Sequence, residues 1–184
     1  MKYTASLLAV AALGIAPVLA QGAAGSLPAQ PDTRSGEKGA VTYIVQDSVA
    51  DVQLANLALR KSQNPAARAF AQTLVADHTK GAAQAMQVAA AIGDSDAQLK
   101  PSDEGLIEEA HLARYSGTQF EQEWLQREVS MHQNDIDTVR DAMEISTTAA
   151  VRQLELATLR IDETHLRLAN AALDEVERSS AAGR

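Results

Sequence analysis

Cysteine is absent from this chain. That excludes a disulfide framework, thiol chemistry, a lipid-modified N-terminal cysteine and any Cys-ligated zinc or iron–sulfur centre. Burial alone must hold the fold together. Aromatic residues make up only 3% of the sequence, which argues against a haem or flavin pocket. Basic clusters are also missing. With a formal charge of −8 and no local Lys/Arg run, the chain repels phosphate backbones, so no nucleic-acid partner is expected. Attachment to an anionic membrane surface is disfavoured for the same reason. No serine stands in a nucleophile motif and no glycine-rich phosphate loop occurs, so catalysis ranks behind binding and structural roles. The four methionines are scattered, unlike a Met-rich copper box.

Long hydrophobic runs are scarce too. The one such run, Leu7 to Ala16, is broken only by Gly14 and is too short for a membrane span, which needs about 20 residues. Lys2 precedes it, Pro17 ends it, and Val18-Leu19-Ala20 places small residues at the −3 and −1 positions of a cleavage site. Residues 1–20 therefore read as a signal peptide, and the sequence predicts a periplasmic or secreted protein with no stable membrane span after cleavage. Residues 21–40 hold four glycines and two prolines without periodicity and read as a flexible tether. The folded part is expected over residues 41–178, and 179–184 as a disordered tail.

What the chain does have is helical periodicity. Val45, Val49, Val52 and Leu59 recur at helical spacing and predict a first helix over about Thr42 to Ser62. Asn64 before Pro65 is an N-cap followed by proline at the first helical position. The helix it opens carries Phe70, Leu74, Val88 and Ile92 and stops at Gly93. Ser102 opens a short connecting helix. Thr118 and Glu121 fit a capping box, leading a helix with Leu125, Val129, Ile136, Val139 and Met143 on one stripe. Ser146-Thr147-Thr148 restarts the chain, and Val151, Leu154, Ile161, Leu168 and Val176 mark the last helix. No segment alternates as a half-buried strand would. The fold class is all-α, a four-helix bundle with a short connecting helix.

Three of the four histidines lie on stripes that should face the interior. His78 follows Leu74 by one turn, His132 sits between Val129 and Ile136, and His165 between Ile161 and Leu168. Each belongs to a different long helix; His111, on the connector, does not join them. A buried imidazole needs a hydrogen-bond partner, and Asp77, Glu128 and Asp162 are each within a turn of one of the three. Two readings follow: three separately satisfied core histidines, or convergence on a metal site, since bundle cores are where such sites are built. A di-iron carboxylate bundle would need a Glu-x-x-His on two helices. Here Asp162-x-x-His165 is one approximation, and Glu108-x-x-His111 reads as a solvated face, so the full signature is missing.

The stretches "ADVQLANLAL", "FAQTLVADH", "FEQEWLQREVSMH" and the "THL" at His165 resemble the exported bacterial family DUF4142, placed in the ferritin-like superfamily, over roughly Ile44 to Val176. The resemblance implies a ferritin-like bundle and export. Its first-helix acid matches Asp51, its Asp-His pair Asp77 and His78, its aromatic and acidic positions Phe120, Glu121 and Trp124, and its later histidines His132 and His165. Arg160 stands where the family has proline, and Asp and Glu are exchanged at Asp51 and Glu121. No activity comes with the resemblance. The leading expectation is an interior site of Asp51, Asp77, His78, Glu121, His132 and His165 for a divalent transition metal. The alternative is an envelope structural or interaction protein whose polar core sets helix register. The sequence leaves a protein partner and the oligomeric state open.

Overall fold

A computed structural model describes residues 36–182. The expected signal peptide, and the expected tether as far as residue 35, lie outside the described residues. Five helices follow: α1 (Glu37–Lys61), α2 (Pro65–Ala91), α3 (Asp103–Leu112), α4 (Gly117–Ile145) and α5 (Ala149–Ala182). No strand occurs among the described residues, so the chain is an all-α bundle. Helix α1 takes in Glu37–Ala40 from the expected tether, and α5 runs through Ser179 to Ala182, into the expected tail. Helix α1 forms there despite Gly39, with Ala40 buried, and begins where Gly36 turns at φ 90°.

The local stop and start signals work as their chemistry demands. Asn64 Oδ1 accepts from the Ala66 and Ala67 amides at 2.9 and 3.3 Å, and Pro65 gives up no hydrogen bond at the first position of α2. At its other end Gly93 adopts φ 67°, so that the Gly93 amide reaches Ala90 O and the Asp94 amide reaches Ala89 O, a Schellman closure. Ser102 Oγ caps α3 through the Gly105 amide at 3.1 Å. Where Gly105 crosses α1, a Cβ would stand 2.6 Å from that of Ala50, so only glycine fits.

The expected capping box at Thr118 does not form. Helix α4 starts two residues earlier, at Gly117 with φ 57° after Ser116 in the N-cap place, and has no side-chain cap. Glu121 instead reaches across to the α1–α2 turn, where its Oε1 accepts from Ser62 Oγ (2.6 Å), Gln63 N (3.0 Å) and Asn64 N (2.9 Å). Glu37 on α1 does the same for the α4–α5 turn, accepting from the Thr147 and Thr148 amides and hydroxyls. Those bonds, the Thr148 hydroxyl first, hold the Glu37 carboxyl down to about 2.

These matching caps belong to an internal repeat. At one constant sequence offset, Glu37 corresponds to Glu121, Ser62 to Ser146, and Arg68 to Arg152. Arg68 Nη1 donates to Ser62 O as Arg152 Nη1 does to Ser146 O. Hairpin α1–α2 and hairpin α4–α5 are thus two copies of one design. Contacts between Tyr43 and Asp135 at one end and Ser62 and Glu121 at the other run α1 antiparallel to α4. Helix α3 occupies the one long crossover between the hairpins. Leu54, Phe70, Leu74, Leu112, Phe120, Trp124 and Leu125 form the main core, and Val41, Ile44, Val45, Val151 and Leu154 a second. Leu168, expected on the inner stripe, is 40% exposed on the α2–α5 seam.

Candidate functional site

Between the two cores the bundle interior turns polar. His78 on α2, His132 on α4 and His165 on α5 converge, with ring centroids 5.8 Å (His78–His132), 4.9 Å (His78–His165) and 5.3 Å (His132–His165) apart. Asp162, one turn before His165, joins them. Each of the four has a nitrogen or oxygen within 4.8 Å of those of the other three, and all four residues are buried.

Hydrogen bonding assigns the free ring nitrogen of two of the three imidazoles. His132 Nδ1 lies 2.8 Å from Glu128 O. A carbonyl only accepts, so Nδ1 carries the proton and Nε2 the lone pair. His165 Nε2 lies 3.0 Å from Asp77 Oδ2, which leaves its lone pair on Nδ1 by the same logic. His78 Nε2 comes within 3.1 Å of Asp51 Oδ2 without the alignment of a hydrogen bond. The result is a set of four buried atoms with no hydrogen-bond partner: His78 Nε2, His132 Nε2, His165 Nδ1 and Asp162 Oδ2. An unpaired buried polar group costs about 1–3 kcal/mol, so four of them on residues this close together is an arrangement that something must offset.

The surroundings are acidic. Asp51 is fully buried, both of its carboxylate oxygens lack hydrogen bonds, and its carboxyl is pushed well up by burial first and then by Asp47, Glu128, Asp135 and Asp162. Burial and then Asp135 raise Asp162 to about 8. Glu128 is pushed up to about 8, again mainly by burial, although Trp124 Nε1 donates to it at 2.5 Å. On the histidine side, burial lowers His132 to about 4 and His78 well below its ordinary value, where the other two imidazoles add to the effect. His165 is lowered by burial against the opposing pull of Asp77. Neutral imidazoles are the ligand form, and a divalent ion would supply the positive charge that the acids lack.

Of the six residues expected at the site, the structure brings His78, His132 and His165 into one group and sets Asp51 and Asp77 against two of them. Glu121 is engaged elsewhere, as the cap of the α1–α2 turn. Asp162, read in the sequence as a partner of His165 and as the acid of an Asp-x-x-His approximation but not placed in the expected site, joins the group, and Asp47, Glu128 and Asp135 form the acidic surround. The signal for the α4 acids was present: Glu121, Glu128 and Asp135 follow one another every two turns, as do Glu155 and Asp162 on α5. The repeat adds that Asp51 corresponds to Asp135 and His78 to Asp162, whereas Ser48 and Gly81 stand opposite His132 and His165.

Fold and site together define an all-α bundle with a buried histidine–carboxylate cluster. The chain belongs to the family described as "Domain of unknown function (DUF4142)", whose model matches residues 22–172. No curated protein and no solved structure matches it. No described helix is long and apolar enough to cross a membrane.

Proposed function

We propose that the protein binds one divalent transition-metal ion through His78 Nε2, His132 Nε2, His165 Nδ1 and Asp162 Oδ2. The observation that supports this most is the set of four buried atoms without hydrogen-bond partners on residues whose ligand atoms lie within 4.8 Å of one another. Three imidazole nitrogens and one carboxylate oxygen suit four-coordinate zinc best, with cobalt, iron, manganese or copper(II) as chemically related occupants. Asp77 and the Glu128 carbonyl accept from the outer ring nitrogens of His165 and His132, the usual outer partners of metal-bound imidazoles. The one long crossover between two helical hairpins supports a ferritin-like connectivity.

A thermal or denaturant titration of untagged protein tests the reading. Zinc at a hundredfold excess over Kd should stabilise the wild type by about 2.7 kcal/mol if it binds the native state alone. His78→Ala, His132→Ala, His165→Ala and Asp162→Ala should each lose that increment, and His111→Ala should keep it. An identical response in all five variants, or none in the wild type, overturns the metal site and leaves the polar core a device for helix register.

A further inference from the structure

The four ligand atoms are closed off from water, so an ion needs a way in. His132 and His165 are wholly buried, Asp162 and His78 nearly so, and Asp51 and Glu128 beside them are buried as well. Among the described polar contacts of the four residues, only Asp77 reaches solvent. Its side chain is 45% exposed, yet Oδ2 touches His165 Nε2 at 3.0 Å. This contact lies on the α2–α5 seam, which is open on both sides of it. A groove of about 390 Å³ is lined by Ala66, Phe70, Thr73, Leu168 and Ala172 among others. A second, of about 330 Å³, lies towards Gln84, Val88, Ala150 and Leu154. Phe70, on the wall of the first groove, also packs its ring 6.3 Å from that of His165.

The repeat shows that an acid here is no requirement of the fold. At the corresponding place in the other hairpin stands Ile161, and opposite His165 stands Gly81. The carboxylate stands on α2, in the hairpin that lacks the two extra histidines, and reaches across to one of them, His165.

Resting on the metal reading above, we infer that Asp77 is the portal of the site: it captures a hydrated divalent cation at the surface and passes it inward past His165. A carboxylate at the mouth of a low-dielectric passage attracts cations and speeds their association. In the closed state the same carboxylate holds the His165 ring. No bond to carbon or change of oxidation state is involved; the ion exchanges water for protein ligands.

Stopped-flow mixing of the untagged protein with Co²⁺, followed by the visible absorption of the four-coordinate ion, tests this. Asp77→Asn keeps an oxygen for His165 Nε2–H but removes the charge. Its association rate should fall at least about tenfold, the low end of what a focused charge contributes, and should lose the wild type's dependence on ionic strength. Asp141→Asn, which removes an equal charge from the exposed face of α4, controls for net charge and should stay within about twofold of the wild type. An unchanged association rate in Asp77→Asn, with any loss confined to faster release into a chelator, makes Asp77 a positioning residue only and overturns the portal. If wild-type protein takes up no Co²⁺, it is the metal reading that has failed, and the portal falls with it.

Discussion

An imidazole buried beside two others is held neutral, and a carboxyl buried beside other carboxyls is held protonated. Those two facts give the metal-free protein a definite pH profile. Glu128 and Asp162 ionise near 4.5 and 3.8 in the unfolded chain but near 8 in the fold. Between these values the native state binds more protons, so their contribution is complete at low pH and is lost as pH rises towards 8. His132 works the other way: its ordinary 6.5 falls to about 4, so its contribution is present above 6.5 and lost as pH drops through 4. The two effects oppose each other between about 4.5 and 6.5, and only the acids act above that. Urea unfolding in the presence of a chelator should therefore show stability falling between pH 6.5 and 8, by about 1–2 kcal/mol for each carboxyl. A rise over that interval would mean that these acids are already ionised in the fold.

Helix ends were legible in the sequence where their chemistry is local. Asn64 and Ser102 accept from amides two or three residues on, and Gly93 closes its own helix, so short motifs identify all three. The Thr118–Glu121 motif misled because Glu121 finds three better donors on another hairpin, a contact that no local spacing encodes. Leu168 fits the apolar stripe of α5 but falls on the rim of an open seam. The cross-hairpin cap has a measurable weight. Glu121→Ala leaves the Ser62 hydroxyl and the Gln63 amide without their acceptor and the Asn64 amide with Ser62 Oγ alone, and should cost about 2–4 kcal/mol in denaturant unfolding. Because this cap is separate from the histidine cluster, the zinc increment should survive the substitution. Loss of zinc binding in Glu121→Ala at full folding would return Glu121 to the site.

At the scale of the whole molecule, periodicity was enough for an all-α bundle, and three inward histidines were enough to suspect one polar centre. The remainder was hidden for physical reasons. Asp162-x-x-His165 approximates a ligand motif on one helix, but only the packing of α2, α4 and α5 brings Asp162, with an unpartnered oxygen, into one group with three histidines. The repeat was masked because the positions that carry chemistry differ between copies: Ser48 stands opposite His132, Gly81 opposite His165, Ile161 opposite Asp77. The molecule is two copies of one hairpin joined by α3, with one of the four grouped residues, His78, on α2 and the other three on α4 and α5. X-ray absorption at the zinc edge on protein loaded with one equivalent reads that centre directly. Four light-atom ligands at about 2.0–2.1 Å are expected, with the multiple-scattering signature of three imidazoles. A six-oxygen shell, or a spectrum with no imidazole scattering, would contradict that coordination.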